Sequence, residues 1–243
     1  MTYETTIAGE DFFPFIKSAT DFVGDAKVVF DDHVLISSLD TAGVLLIDTA
    51  VRNPNPPPAP IEVTLDLRSI AGVTSVKNDV TFILDGSSRV RLKTGRMEYT
   101  LPEIIDPSLK NRKMPEKTFP IRLSIDSAAF VEGVQGMLDA NKAIEEMNGF
   151  WFIVEDANTF YFHDSLKHYS KAYFDPESEY EVELLDSPAA SMFSVDYVED
   201  MIKHIKKFDR VKLCLAQDQP MILICMNEER KLAYALANRM QAR

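Results

Sequence analysis

Few residue types in this chain are spaced to do chemistry. The histidines His33, His163, His168 and His204 are scattered, with no nucleophile elbow, metal-ligand spacing or glycine-rich phosphate loop around them. Aspartates such as Asp31, Asp32 and Asp85 fall where turns are expected, the position their side chains favour for local hydrogen bonding. Cys214 and Cys225 are too few for a disulfide framework and lack zinc-ligand spacing, so they read as free core thiols in adjacent strands. No enzyme, cofactor or metal is therefore expected. One group does suggest a task. Lys203, Lys206, Lys207 and Arg210 follow at steps of three, one and three, on the polar side of an expected helix over 195–208. Its apolar residues Val198, Met201, Ile202, Ile205 and Phe208 point the other way. Long cationic side chains grouped in this way make loose, sequence-blind contacts to a phosphate backbone. An ordinary solvated helix face has the same spacing, so spacing alone leaves both readings open.

The elements that position these residues alternate in type. Phe12, Phe15, Ile16, Ala19, Phe22 and Val23 predict a helix over 10–23, with Pro14 tolerable in its first turn. Strands are expected at 27–30, 34–38, 44–51 and 61–65, a helix at 66–77, and strands at 80–84, 89–92 and 96–101. The run 53–60 contains five prolines and reads as an extended surface connection, since proline donates no ladder hydrogen bond. Residues 103–119 carry two prolines and seven charges with little periodicity, the character of a linker. The pattern then restarts. A strand at 121–125 precedes a helix at 126–142. Strands follow at 150–154, 159–162, 168–173 and 180–185, then the helix at 195–208 and strands at 211–215, 221–225 and 232–236. Helix, strands, helix, strands thus occurs twice around a central linker. Such a duplication predicts two similar α+β domains, 1–101 and 120–243, joined by a connector at 102–119.

The chain has 243 residues, 46% hydrophobic and 26% charged, the composition of a globular protein. No apolar run approaches the roughly 20 residues that span a bilayer, and the N-terminus lacks the basic-then-apolar order of a secretory signal. A cytoplasmic location is expected. The formal charge of −12 argues by itself against nucleic acid, so any such role depends on where the cations lie.

Four stretches in order carry a resemblance from Tyr3 to Met240. They are Leu39-Asp40-Thr41-Ala42-Gly43-Val44-Leu45-Leu46-Ile47-Asp48; Tyr99-Thr100-Leu101 with Ile105-Asp106 and Met114-Pro115-Glu116; Ser194-Val195-Asp196-Tyr197-Val198-Glu199-Asp200-Met201 with Gln219-Pro220-Met221; and Leu232-Ala233-Tyr234-Ala235-Leu236-Ala237-Asn238-Arg239. Together they resemble the DNA sliding clamps of the proliferating-cell-nuclear-antigen (PCNA) type of archaea and eukaryotes.

That resemblance implies the DNA-clamp fold: helices lining the hole of a three-subunit ring, sheets outside. Double-stranded DNA would thread the hole, sliding without being read. Lys17, Arg68, Lys77, Lys142, Lys203, Lys206, Lys207 and Arg210 would face it. Phe13, Pro14 and Thr20 stand where the family often has lysine, which implies a weakly positive lining. A groove aligned with Leu39, Val44, Leu46, Met114, Pro115, Pro220, Ala235, Leu236 and Ala237 would take short peptide motifs of replicative polymerase, clamp loader, flap nuclease and ligase. Leu46 and Leu236 read equally as core. Gly43, Ala235, Asn238 and Arg112 depart from the family pattern there, implying altered anchors. The homotrimer would close between the edges 96–101 and 166–173, with Glu98, Tyr99, Lys167, Tyr169, Lys171 and Tyr173 at the boundary and the lysines paired to Glu98. A heteromeric or checkpoint-type clamp subunit, or a clamp-fold scaffold, are the alternatives. The clamp would be nucleoid-associated in a prokaryote and nuclear in a eukaryote.

Overall fold

The computed structural model describes residues 2–106, 108–141, 149–164 and 171–239. The chain divides into two compact units: Met1–Met114 with Asn227–Leu232, and Pro115–Met226 with Ala233–Arg243. The expected connector is thereby shared, 102–114 going with the first unit and 115–119 with the second.

In the first unit β1 (Tyr3–Ile7) leads into α1 (Gly9–Thr20). Then come β2 (Asp25–Phe30), β3 (His33–Leu39), β4 (Leu45–Arg52) and β5 (Ile61–Asp66), followed by α2 (Leu67–Val73) and β6 (Val80–Leu84), β7 (Arg89–Thr94) and β8 (Met97–Pro102). One antiparallel sheet runs β1-β6-β7-β8, and the other strands pair in the order β4-β3-β2-β5. Alternating burial along β2 and β3 sends Ala26, Val28, Phe30, Val34 and Ile36 inward. Phe12, Phe30 and Phe82 meet edge-on at ring-centroid distances of 5.2 and 5.4 Å, joining α1 to strands of both sheets.

The second unit repeats the order. It has β9 (Ile121–Asp126), α3 (Ser127–Asn141), β10 (Gly149–Asp156), β11 (Thr159–Asp164), β12 (Lys171–Tyr173), β13 (Tyr180–Leu185), β14 (Ala189–Ser194), α4 (Val195–Ile205), β15 (Arg210–Leu215) and β16 (Met221–Met226). Its strands pair as β12-β11-β10-β14 and β13-β9-β15-β16. The last strand, β17 (Arg230–Leu236), begins in the first unit and ends in the second. The core is aromatic: Phe160 stacks on Phe174 at 4.5 Å, and Phe130 meets Phe162 edge-on at 5.6 Å. Gly133 makes room for this cluster, since a Cβ there would lie 2.8 Å from Phe174 Cζ.

Several expectations need correction. β1 and β14 were not expected. Four of the five residues of Tyr-Glu-Thr-Thr-Ile favour strands, so β1 follows from local propensity and pairs with β6, whereas Ala-Ala-Ser-Met-Phe-Ser is a weak strand former and becomes a strand because β10 supplies its ladder. Pro14 lies past the first turn of α1, not within it. The missing amide bond is tolerated because Phe12, Phe15, Ile16 and Ala19 bury the helix face around it. The second helix stops at Val73, not at residue 77, which leaves Lys77 in a loop. The fourth stops at Ile205, not at residue 208. Lys206 caps it, and Arg210 opens β15. Phe208 is buried beyond the helix end, which is why the apolar periodicity overran it.

Candidate nucleic-acid interface and docking surfaces

Among the described residues four helices could present charge outward, and their polar faces differ. α4 buries Val198, Met201, Ile202 and Ile205 and exposes Asp196, Glu199 and Lys203. Its acids lie towards the N-terminus and its cations at the C-terminus, the order the helix dipole favours. Lys203 Nζ lies 2.5 Å from Asp200 Oδ1, so part of its charge is answered within the helix. Lys206 and Lys207 are exposed just past the helix end. Arg210 is tied into the sheet. Its Nε donates to Ser124 Oγ at 2.8 Å, its Nη2 donates to the Ser124 carbonyl at 2.7 Å, and Glu181 stands 3.7 Å away. The expected stripe of four cations on one helix is therefore one helical lysine, two lysines in the following turn, and an anchored arginine.

The other helices add less. Lys17 on α1 pairs with Asp21 at 3.0 Å. Arg68 is exposed on α2, beside Gly24. The start of α2 is fixed by Asp66, whose Oδ1 accepts the amides of Arg68 and Ser69 at 2.9 and 3.2 Å. The Ser69 hydroxyl bonded to this carboxylate, with those amides, holds its pKa below the ordinary value. The described part of α3 exposes Glu132, Gln135 and Asp139. Lys142 lies outside the described residues.

The groove residues divide by unit. In the first, Leu39 ends β3 at 39% exposure and Val44 is half-buried, at either end of a tight turn. Buried Asp40 builds that turn: its Oδ1 accepts the amides of Val44 and Leu45 at 2.7 and 2.8 Å. Gly43 takes φ 71°, a left-handed conformation costly for other residues. Arg112 of the connector donates its amide to the Ser37 carbonyl at 3.2 Å, and the Ser37 hydroxyl donates to the Arg112 carbonyl. That strap brings the chain leading to half-buried Met114 alongside β3. Leu46 is core. In the second unit Ala235 and Leu236 are buried, Pro220 and Ala237 half-buried and Pro115 exposed. Lys117 Nζ donates to Gln219 Oε1 at 3.2 Å, tying that part of the connector to the turn before Pro220.

The sheet edges carry the remaining residues. β8 is the outer strand of its sheet, with Met97 56% exposed and Tyr99 half-buried. Glu98 is ion-paired to Arg91 and Lys93 of neighbouring β7, both at 3.6 Å. On the second unit β12 is the outer strand. Lys171 Nζ sits 4.6 Å from the centre of the Tyr161 ring and 5.8 Å from that of Tyr173, and the two rings lie 5.0 Å apart. Tyr161 donates to Glu155 Oε1 at 2.7 Å, and its phenol is pushed up to about 12 by burial and then by that carboxylate. Tyr173 is 63% exposed. Lys167 and Tyr169 lie outside the described residues. Sequence reading missed Met97 and the support of Tyr161 and Glu155. Met97 and Tyr161 fall in expected strands and Glu155 just beyond one, but their place at or beside an edge depends on strand order.

Among the described residues no group of three or more histidine, cysteine or acidic side chains could hold a metal, and no helix is long and apolar enough to cross a membrane.

No family model matches the chain. It is 25% identical to a DNA polymerase sliding clamp of Methanothrix thermoacetophila, over 98% of each chain. It is also 25% identical to one of Methanosarcina mazei, over 74% of each. Among solved structures, it superposes on A. fulgidus PCNA bound to the C-terminal region of FEN-1, with TM-score 0.86, 20% identity and full coverage of both chains. PCNA of Thermococcus kodakaraensis matches with TM-score 0.81 at 16% identity, over 98% of this chain and 100% of that one. The fold is that of the PCNA-type sliding clamp.

Proposed function

We propose that this chain is one subunit of a ring-forming sliding clamp that encircles duplex DNA without reading its sequence and tethers DNA polymerase and other replication and repair enzymes. The end-to-end match carries the reading: similarity to a DNA polymerase sliding clamp spans 98% of both chains, on a fold shared in full with a PCNA. The doubled α+β architecture supports it, as do the cations Lys17, Arg68, Lys203, Lys206 and Lys207 on or beside its helices. With acids on the same helices, contact with DNA is loose and salt-sensitive, which suits sliding. In this reading residues 1–101 and 120–243 act as the two clamp domains and 102–119 as their connector.

The ring is a homotrimer closed by main-chain pairing of the β8 edge with the β12 edge of the next copy. Because Glu98 is already satisfied by Arg91 and Lys93, and Lys171 by tyrosine rings, the boundary rests on the ladder, Met97, Tyr99 and Tyr173. Leu39, Val44 and Met114 receive aliphatic or aromatic anchors of short partner peptides. The A. fulgidus PCNA complexed with a FEN-1 segment supports a flap nuclease among those partners, beside polymerase, clamp loader and ligase. The clamp carries no catalytic chemistry and works where the DNA is, in the cytoplasm or nucleus.

Light scattering on a sizing column, over a range of protein and salt concentrations, tests the assembly. A homotrimer reads about 82 kDa, three times the chain mass of 27.5 kDa. A mass that stays near 27.5 kDa at every concentration sinks the homotrimer.

A further inference from the structure

We infer that a proline-walled cavity in the first unit is a docking pocket for an arginine side chain on a basic, extended segment of a partner protein. The cavity, about 670 Å³, opens where the β2–β3 turn, the loop after β4 and the turn before β17 meet. That volume suits a side chain with its flanking backbone.

Its walls are set before any ligand arrives. Asn53, 4% exposed, is the pillar. Its Nδ2 donates to Tyr3 Oη at 2.8 Å and to the Asp31 carbonyl at 2.6 Å, while its Oδ1 accepts from Thr5 Oγ1 at 2.6 Å and the Asn55 amide at 3.3 Å. Asn55 in turn donates to the Glu4 carbonyl at 2.6 Å. Pro54 and Pro56 line the cavity with φ already fixed. A wall of this kind loses little conformational freedom on binding, so more of the contact energy appears as affinity. It also gives the proline-rich run, unexplained by the clamp reading, a task.

The charge selects the occupant. Asp32, Glu228 and Glu229 line the cavity against one cation, Arg52, which already reaches Glu229 at 3.3 Å. Asp32 and Glu228 are exposed to an incoming group. This excess of carboxylate repels DNA and acidic peptides and attracts a cation. A guanidinium fits better than an ammonium, because its planar fork bonds carboxylates in pairs and its weakly hydrated face stacks on flat surfaces such as His33 and the prolines.

The pocket does not depend on the clamp reading, and the experiment keeps the two apart. A fluorescein-labelled Gly-Ser decapeptide carrying two arginines is titrated with the full chain and followed by anisotropy. Asp32→Asn with Glu228→Gln should raise Kd about tenfold, the usual loss at a central charged contact. Glu177→Gln with Asp186→Asn removes the same charge from exposed sites of the second unit, and should change Kd less than about twofold, as rim charges do. Equal weakening by both pairs means non-specific attraction and overturns the pocket. So does displacement of the probe by magnesium beyond that by sodium at matched ionic strength, which would mark a small-cation site. Each variant is also sized by light scattering. Lost peptide binding with wild-type mass confines the damage to the pocket. Selective peptide binding by a chain that never assembles would sink the ring alone.

Discussion

Lys203 and Lys207 are the residues on which the proposed contact with DNA is easiest to weigh. The Lys203–Asp200 pair is exposed, and pairs of that kind contribute at most about 1 kcal/mol, so a phosphate can compete for the ammonium. Replacing both lysines with alanine should weaken binding to duplex DNA and flatten the plot of log affinity against log salt by about two, one for each lost phosphate contact. Titration of labelled duplex at several potassium chloride concentrations measures both. An unchanged slope would mean that neither cation faces DNA. Arg210 is different in kind: its bonds to Ser124 make it part of the β9–β15 junction, a distinction invisible in the spacing of four cations.

At the scale of elements, α2 is short enough for its cap to matter. Asp66→Ala removes the acceptor for two of its first amides and should cost about 1 kcal/mol in urea unfolding near neutral pH. The native-state carboxyl pKa is lowered by the Ser69 hydroxyl and the capped amides, so its contribution is complete above the ordinary value of 3.8 and is lost as pH falls through the lowered value. The gap between wild type and variant should therefore narrow in that acid range. A pH-independent gap would mean that the loss is one of packing. The same helix shows what periodicity misses: nothing in residues 66–77 distinguishes the last helical turn from the loop that carries Lys77.

For the whole molecule, the proposed homotrimer turns on two exposed edges. Amides alternate in direction along β8: Glu103 donates to the Ser88 carbonyl, so the register turns the Tyr99 amide to β7 and the Thr100 amide to the free edge. Proline at Thr100 fixes φ and removes that outward amide, a change harmful where another strand must pair on that side. Thr100→Pro should shift the light-scattering mass from about 82 kDa towards 27.5 kDa while leaving the far-ultraviolet circular dichroism close to wild type. Retention of the full mass would place the boundary elsewhere. The acidic total of −12 is consistent with a ring whose outer surface turns DNA away, provided that the cations beside the helices keep the inside less negative.

The duplicated order of helices and strands and the family resemblance were legible in the sequence, because hydrophobic periodicity and local turn chemistry act over a few residues. The expected strands 80–84 and 180–185 coincide with β6 and β13 for that reason. What acts between distant residues was decided only by tertiary structure. β14 exists because a partner strand pairs with it, the first unit recruits 227–232 from the far end of the chain, and the proline-rich run becomes a cavity wall only once Asn53 is bonded to Tyr3, Thr5 and Asp31. Such contacts join residues tens to hundreds of positions apart, and no local pattern encodes which of them meet.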